Sequence, residues 1–256
     1  MVLKNLFGGG PLSEKKIEKI TKLVCNPYCQ PDVRKREMCR LLDDEQPAAL
    51  QAVLKRFAFN SNGGIADEDE KKWLENQMVD MGKLAIEPLE LYIRTGKQLT
   101  YALRAYHRIQ GPEKSADFFL TVLHGHGPDA YRAIEAKLQI VWQLADYLEN
   151  EGVIAGLAPF VEDHSDDIRW AVMDLLEKIA DAGTLKSEVQ QVYAAKMGIL
   201  LADDSAGPRI QRRAAEVLAD REWRVDSAAT AVAPVLADEF FIDKKYYVRR
   251  RSKPKS

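Results

Sequence analysis

Apolar residues recur every three or four positions along most of the chain, and short polar breaks separate these runs. One run carries Leu50, Val53, Leu54 and Phe57 at positions i, i+3, i+4 and i+7. This spacing places the four side chains on one face of an α-helix. About a dozen runs share it, and strand-like alternation is almost absent. The pattern therefore predicts an all-α protein.

Prolines and polar breaks mark the ends of the predicted helices. Pro31 and Pro47 open the second and third helices, because proline suits the first helical position. The next apolar pattern continues over residues 74–93, and a last apolar run covers residues 229–241. Consecutive helices with short connections pack antiparallel. The chain is therefore predicted to form stacked helical hairpins.

Two distant segments repeat one arrangement of residues. Arg169 and Arg212, 43 residues apart, are each followed by alanine two positions later and leucine six positions later. The segment Asp32-Val33-Arg34 also repeats Asp167-Ile168-Arg169, with leucine seven positions after each arginine. Self-similarity at such a period is typical of helical repeat arrays.

A proline inside an apolar run is a second recurrence. It occurs at Pro88, Pro159 and Pro234. Because proline inside a helix costs about 3 kcal/mol, three similar placements predict a shared bend.

Residues 157–179 resemble the HEAT repeat family. They combine a proline-bent first helix, the acidic turn at residues 163–166, and a second helix that starts Ile168-Arg169-Trp170-Ala171. The likeness is close over residues 157–220, extends back to residue 84, is loose over residues 97–150, and is weakest before residue 60. It implies an α-solenoid of stacked antiparallel hairpins that curves into a superhelix.

The resemblance also implies roles for individual residues. In HEAT repeats, a turn aspartate and a second-helix arginine form a ladder between neighbouring repeats. The ladder implied for this chain consists of Asp167, Arg169, Asp32, Arg34 and Arg212.

The predicted organisation has three parts. Residues 1–12 form a flexible leader, residues 13–242 form five to six helical pairs, and residues 243–256 form a basic, mobile tail. The tail is a candidate for binding a partner or an anion. Its candidate residues are Lys244, Lys245, Tyr246, Tyr247, Arg249, Arg250 and Arg251.

Composition limits the partners and the compartment. Lys and Arg total 37 against 39 Asp and Glu, which gives a net charge of −2. A near-neutral chain does not indicate duplex binding. No run approaches the roughly 18 apolar residues of a membrane span. An odd number of cysteines without a secretory signal favours the cytoplasm.

No metal or cofactor is predicted. Cys25, Cys29 and Cys39 supply three thiolates, one short of a structural zinc set. His124 and His126 lie in a Gly/Pro turn, where polar residues are expected in any case. We therefore interpret both sets as ordinary side chains.

No catalytic site is predicted either. The HEAT-like di-iron hydroxylases use His-Glu pairs as iron ligands, but no histidine of this chain is followed by glutamate. The chain also has no nucleophile elbow and no Walker loop. HEAT-like phycobilin lyases and DNA glycosylases stay as weaker alternatives.

The sequence thus predicts a non-catalytic scaffold that binds a protein or peptide through a concave helical surface. The identity of the partner and the oligomeric state stay open. The alternative is a nucleic-acid-associated protein that uses the arginine-rich residues 209–213 and the basic tail.

Overall fold

A computed structural model describes residues 10–61, 63–229 and 231–251 of the chain. These residues contain twelve α-helices and only two short strands, which confirms the prediction of an all-α protein. Two compact units divide the chain, Met1–Ser115 and Ala116–Ser256. The predicted leader lies mainly outside the described residues, and so do residues 252–256 of the predicted tail.

The described part of the first unit contains six complete helices. They are α1 (Glu14–Val24), α2 (Pro31–Asp44), α3 (Pro47–Leu54), α4 (Gly64–Met81), α5 (Lys83–Thr95) and α6 (Thr100–Gln110). A 3-10 turn, Lys55–Ala58, extends α3. The predicted proline starts of α2 and α3 are both observed.

Second-neighbour helices, which are two apart in chain order, lie side by side in the first unit. Helix α3 packs on both α1 and α5, while α6 packs on α4 and α5. The apolar stripes of these helices meet in one core. Its fully covered members include Met38, Leu41, Val53, Leu54, Leu74, Met78, Leu89 and Ile93.

The second unit begins within α7 (Pro112–His126). Its other helices are α8 (Ile134–Leu144), α9 (Glu151–Gly156), α10 (Asp166–Asp181), α11 (Ser187–Leu200) and α12 (Pro208–Asp220). Helix α10 packs on both α8 and α12, and the 3-10 turn Ala158–Glu162 packs on α10 and α11. Second neighbours therefore lie side by side in this unit too.

One predicted continuous pattern is divided in the structure. Residues 74–93 cross from α4 to α5 at Gly82, whose φ of 55° and ψ of −120° lie outside the helical region. Glycine adopts a positive φ readily because it has no Cβ. Apolar spacing alone did not reveal this turn.

The three prolines do not share one role. Pro88 lies inside α5, as predicted. Pro159 and Pro234 instead lie at the starts of the 3-10 turns Ala158–Glu162 and Pro234–Leu236. Proline is tolerated at a helix start, where its missing N–H would have no intrahelical partner. The predicted shared bend is therefore wrong at these two positions.

The C-terminal part differs most from the prediction. No α-helix covers the described part of residues 229–241, and the last α-helix ends at Asp220. Instead, β1 (Phe240–Ile242) and β2 (Val248–Arg250) pair as an antiparallel hairpin. The predicted mobile tail therefore begins with ordered structure through residue 251.

Local hydrogen bonds explain this hairpin. The Asp243 Oδ1 atom accepts from the backbone N–H groups of Lys245 at 2.8 Å and Tyr247 at 3.0 Å. The backbone N–H of Val225 donates to the Tyr246 carbonyl at 2.9 Å. The first residue of each strand, Phe240 in β1 and Val248 in β2, is buried. These contacts stabilise strands too short to recognise from their sequence.

Candidate functional site

An open apolar cavity of about 680 Å³ lies on the first unit. We call it the α1–α3 groove, since those two helices supply most of its lining. The lining residues are Glu14, Ile17, Glu18, Thr21, Lys22, Cys25, Ala48, Gln51, Ala52, Lys55, Ala58, Phe59, Tyr92, Gly96 and Lys97. Its volume lies within the range of ligand-binding clefts.

Helical spacing explains the α1 wall. The lining positions from Glu14 to Cys25 follow i, i+3, i+4, i+7, i+8 and i+11, which is one face of a helix. Ile17 is buried in this wall, and the acidic and basic residues beside it are exposed. The α1 wall therefore combines an apolar centre with charged edges.

Small side chains create the space in the groove. Ala48, Ala52 and Ala58 line it from α3 and the turn that follows. Of these, Ala52 is 4% exposed and forms part of the floor. Phe59 is 41% exposed at the edge. An alanine reaches only to Cβ, so these positions leave the floor recessed.

Tyr92 and Gly96 close one side of the groove. The Tyr92 hydroxyl donates to the Gln98 carbonyl at 3.1 Å, and burial raises the pKa of Tyr92. A Cβ atom on Gly96 would lie 2.8 Å from the Tyr92 carbonyl oxygen. Only glycine fits this approach without movement, which fixes the end of α5 beside the groove.

Charge is distributed unevenly along the groove. Glu14 and Glu18 lie towards the start of α1, whereas Lys22, Lys55 and Lys97 lie near or just beyond the ends of α1, α3 and α5. The Lys22 ammonium is 2.8 Å from Glu18, and both side chains are mostly exposed. Hydrogen bonding and charge from Lys22 lower the pKa of Glu18.

A cysteine thiol also lines the groove. Burial raises the pKa of Cys25, although Lys55 and Arg56 act in the opposite direction. Cys25, Cys29 and Cys39 are all free thiols. Within the described ranges, no group of three or more His, Cys, Asp or Glu side chains could hold a metal ion.

A buried ionic cluster includes Arg56, the residue that follows Lys55 of the groove. Arg56, 1% exposed, contacts Asp67 and Glu70 at 2.5 Å each. Arg34 contacts the same Glu70 at 2.6 Å and donates to the Cys29 carbonyl at 3.0 Å. Arg34, which the resemblance assigned to a ladder, thus belongs to a cluster that joins α2, α3 and α4. Its expected companion Asp32 is exposed at the start of α2.

The ladder residues of the second unit have other partners. Arg169 donates to the Asp163 carbonyl and lies 3.5 Å from Asp166. Asp167 lies 3.5 Å from Arg209. Arg169 and Asp167 therefore take part in separate contacts near the turn.

The same unit carries ion pairs between second-neighbour helices. Arg213 of α12 contacts Asp174 at 2.5 Å and also pairs with Glu177 of α10. Arg221 contacts Asp181 at 2.7 Å. Arg213 also lies over the ring of Trp170, 5.1 Å from its centroid.

Most of the arginines proposed for nucleic-acid binding contact acidic neighbours. Arg212 pairs with Glu239. Arg249 contacts Glu222 at 2.6 Å and Asp243 at 3.2 Å. The remaining arginines of the tail behave similarly: Arg250 contacts Asp220 at 2.8 Å, and Arg251 donates to the Ala237 carbonyl at 2.7 Å.

The rest of the predicted tail site is not gathered into one patch. Lys244 and Lys245 are exposed in the hairpin turn. Tyr246 lies under Arg224 and Tyr247 under Arg249, with cation–ring distances of 5.6 and 5.0 Å. Both rings are therefore partly covered by the protein itself.

His124 and His126, which the sequence placed in a Gly/Pro turn, lie instead in the last turn of α7. His124 Nε2 lies 2.7 Å from the Gly156 carbonyl oxygen. His126 Nε2 is buried without a hydrogen-bond partner, and burial followed by the charge of Lys137 lowers the pKa of His126.

The chain was compared with known proteins at three levels. No family model, curated protein or solved structure matches it. Separately, none of the helices in the described part is both long and apolar enough to cross a membrane.

Proposed function

We propose that this chain is a HEAT-like helical-repeat scaffold that binds a protein or peptide partner through the α1–α3 groove. The side-by-side packing of α1, α3 and α5, and of α8, α10 and α12, supports the repeat assignment. Stacking of successive helical hairpins produces such neighbours. The free thiols favour a reducing compartment such as the cytoplasm.

The groove is the observation that carries the proposal. It is concave, its lining is mainly apolar, and exposed helices form its walls. An apolar cleft that stays open to solvent is typical of a surface that binds a partner or ligand. A surface formed by aligned helices is also what the repeat resemblance implied for partner binding.

The nucleic-acid alternative receives no comparable support. Its arginines have intramolecular partners, including Asp174, Glu177, Asp220 and Glu239. Each such pair must break before its arginine contacts a phosphate, and the cost is largest for Arg213, whose side chain is 16% exposed.

A blocking substitution tests the proposed function. Ala48→Trp places an indole in the groove at an exposed position of α3. Ala66→Trp, at an exposed position of α4 outside the groove, is the matched control. Cross-linking and mass spectrometry would compare proteins captured by the full-length chain and both variants, after circular dichroism confirms equal helix content.

We expect a protein that is captured by the parent chain and by Ala66→Trp but lost with Ala48→Trp. Capture that is identical for all three chains would contradict binding in the groove.

A further inference from the structure

We propose that the α1–α3 groove recognises an amphipathic α-helix of about three turns, acidic in its first turn and basic in its last. This helix runs antiparallel to α1. The inference rests on the proposed function and specifies the chemistry of the partner. It follows from the length of the groove, its lining and its charge distribution.

The length of the groove sets the length of the partner. Its α1 wall extends from Glu14 to Cys25. At about 1.5 Å per residue this wall spans about 16 Å, which matches roughly three helical turns. A longer partner helix would extend past the charged ends.

The lining favours a helix over an extended peptide. Side chains such as Ile17, Ala52 and Tyr92 form the apolar surface, and α-helices supply both long walls. An extended peptide would place its N–H and C=O groups against this surface without a strand edge to pair with. A helix satisfies those groups internally and needs only an apolar stripe.

Side-chain charge sets the direction of the partner. Lys55 and Lys97 mark the lysine end of the groove and Glu14 marks the glutamate end, while the paired Glu18 and Lys22 lie between them. Acidic side chains of the partner are stabilised at the lysine end, and basic side chains at the glutamate end. The exposed Glu18–Lys22 pair exchanges partners at little cost, since exposed ion pairs contribute little.

Helix dipoles favour the same direction. Helices α1, α3 and α5 end at Val24, Leu54 and Thr95, next to lining residues of the lysine end. A helix C-terminus carries partial negative charge, so it attracts the partially positive N-terminus of a bound helix. An acidic first turn stabilises the partner helix as well. Charge and dipole therefore favour the antiparallel orientation.

Two peptides of identical composition test this inference with the full-length chain. Both are three-turn helices with the same apolar stripe. One has glutamates in the first turn and lysines in the last, and the other has the reverse order. Fluorescence anisotropy measures each affinity. We expect the acid-first peptide to bind about tenfold more tightly, since several weak ion pairs act together.

Charge reversal in the protein provides the matched test. Lys55→Glu should weaken the acid-first peptide and strengthen the basic-first peptide, because position 55 is exposed at the lysine end. Lys72→Glu, on the exposed face of α4 outside the groove, makes the same charge change and should alter neither affinity. Ala48→Trp should abolish binding of both peptides.

Several outcomes would overturn the inference. Two of them concern the peptides: equal affinity for both, and affinities that Lys55→Glu leaves unchanged. Two concern other occupants: tighter binding of a long-chain carboxylate than of either peptide, and self-association of the chain through the groove, seen on ultracentrifugation. Another is peptide binding that appears only after deletion of residues 1–9, which would assign the groove to the chain's own leader. A partner lost with Ala48→Trp would still support the proposed function in each case.

Discussion

Lys137 and Asp163 show how individual charges stabilise the second unit. Both side chains are 0% exposed, and Lys137 Nζ lies 2.6 Å from Asp163 Oδ2. The ammonium group also donates to the carbonyls of Gly127 at 3.1 Å and Pro128 at 3.0 Å. All three of its protons therefore have acceptors. Lys137 of α8 therefore joins the turn after α7 to the turn before α10.

Removal of one charge from this pair should be costly. We predict that Lys137→Met lowers the free energy of unfolding by about 3–5 kcal/mol, because Asp163 would stay buried without its cation. Urea denaturation measures the change. Lys196→Met, which breaks a partly exposed pair with Glu162, should cost about 1 kcal/mol or less. Equal losses for the two variants would show that burial of the first pair contributes nothing.

Asp67 makes the stability of the first unit dependent on pH. Burial alone would raise the pKa of Asp67, but hydrogen bonds from Lys71, Ser61 and Arg56 lower it well below its ordinary value. The unfolded chain takes up this proton near pH 4, whereas the folded chain stays ionised. The stabilisation is therefore complete above about pH 5 and is lost as the pH falls below about 4.

The corresponding variant is Asp67→Asn. We predict lower stability at pH 7 and a smaller further loss between about pH 5 and 3 than in the parent chain. Urea denaturation across this range measures both effects. Asp69→Asn, at an exposed position of the same helix, should keep the parent's acid sensitivity. An unchanged slope with Asp67→Asn would exclude Asp67 as the source.

At the scale of helices and strands, the sequence was informative where the local signal was strong. Pro31 and Pro47 began helices as predicted, because proline presets the backbone angle of a first turn. Pro159 and Pro234 were misassigned, since a proline in an apolar run fits a short 3-10 turn as well as a bent helix. Apolar periodicity could not distinguish the two.

The hairpin and the groove were missed for a different reason. The strands β1 and β2 have three residues each and depend on contacts with Val225 and α12. The groove is assembled from α1, α3 and the end of α5, which are far apart in sequence. Exposed alanines such as Ala48 carry no signal in a hydrophobic pattern. Only the packing of helices brings these positions together.

At the scale of the whole molecule, opposite charges are balanced locally as well as in total. The net charge is −2. Six arginines of the second unit each contact a carboxylate: Arg209, Arg212, Arg213, Arg221, Arg249 and Arg250. A polyanion that approaches these arginines has to compete with their carboxylates, so its release of counterions there should be small.

This balance predicts weak binding to DNA. In fluorescence anisotropy with a short duplex, we expect little binding by the parent chain at about 50 mM salt and none at about 200 mM. A triple variant, Asp174→Asn, Glu177→Gln and Glu239→Gln, would release Arg212 and Arg213 from the carboxylates that neutralise them. This variant should bind the duplex more tightly than the parent chain. Its affinity should decrease steeply as the salt concentration increases, because the released guanidinium groups would displace counterions from phosphates. Strong, salt-sensitive binding by the parent chain would instead mean that phosphates compete successfully with these carboxylates, and the nucleic-acid alternative would then account better for the arginines.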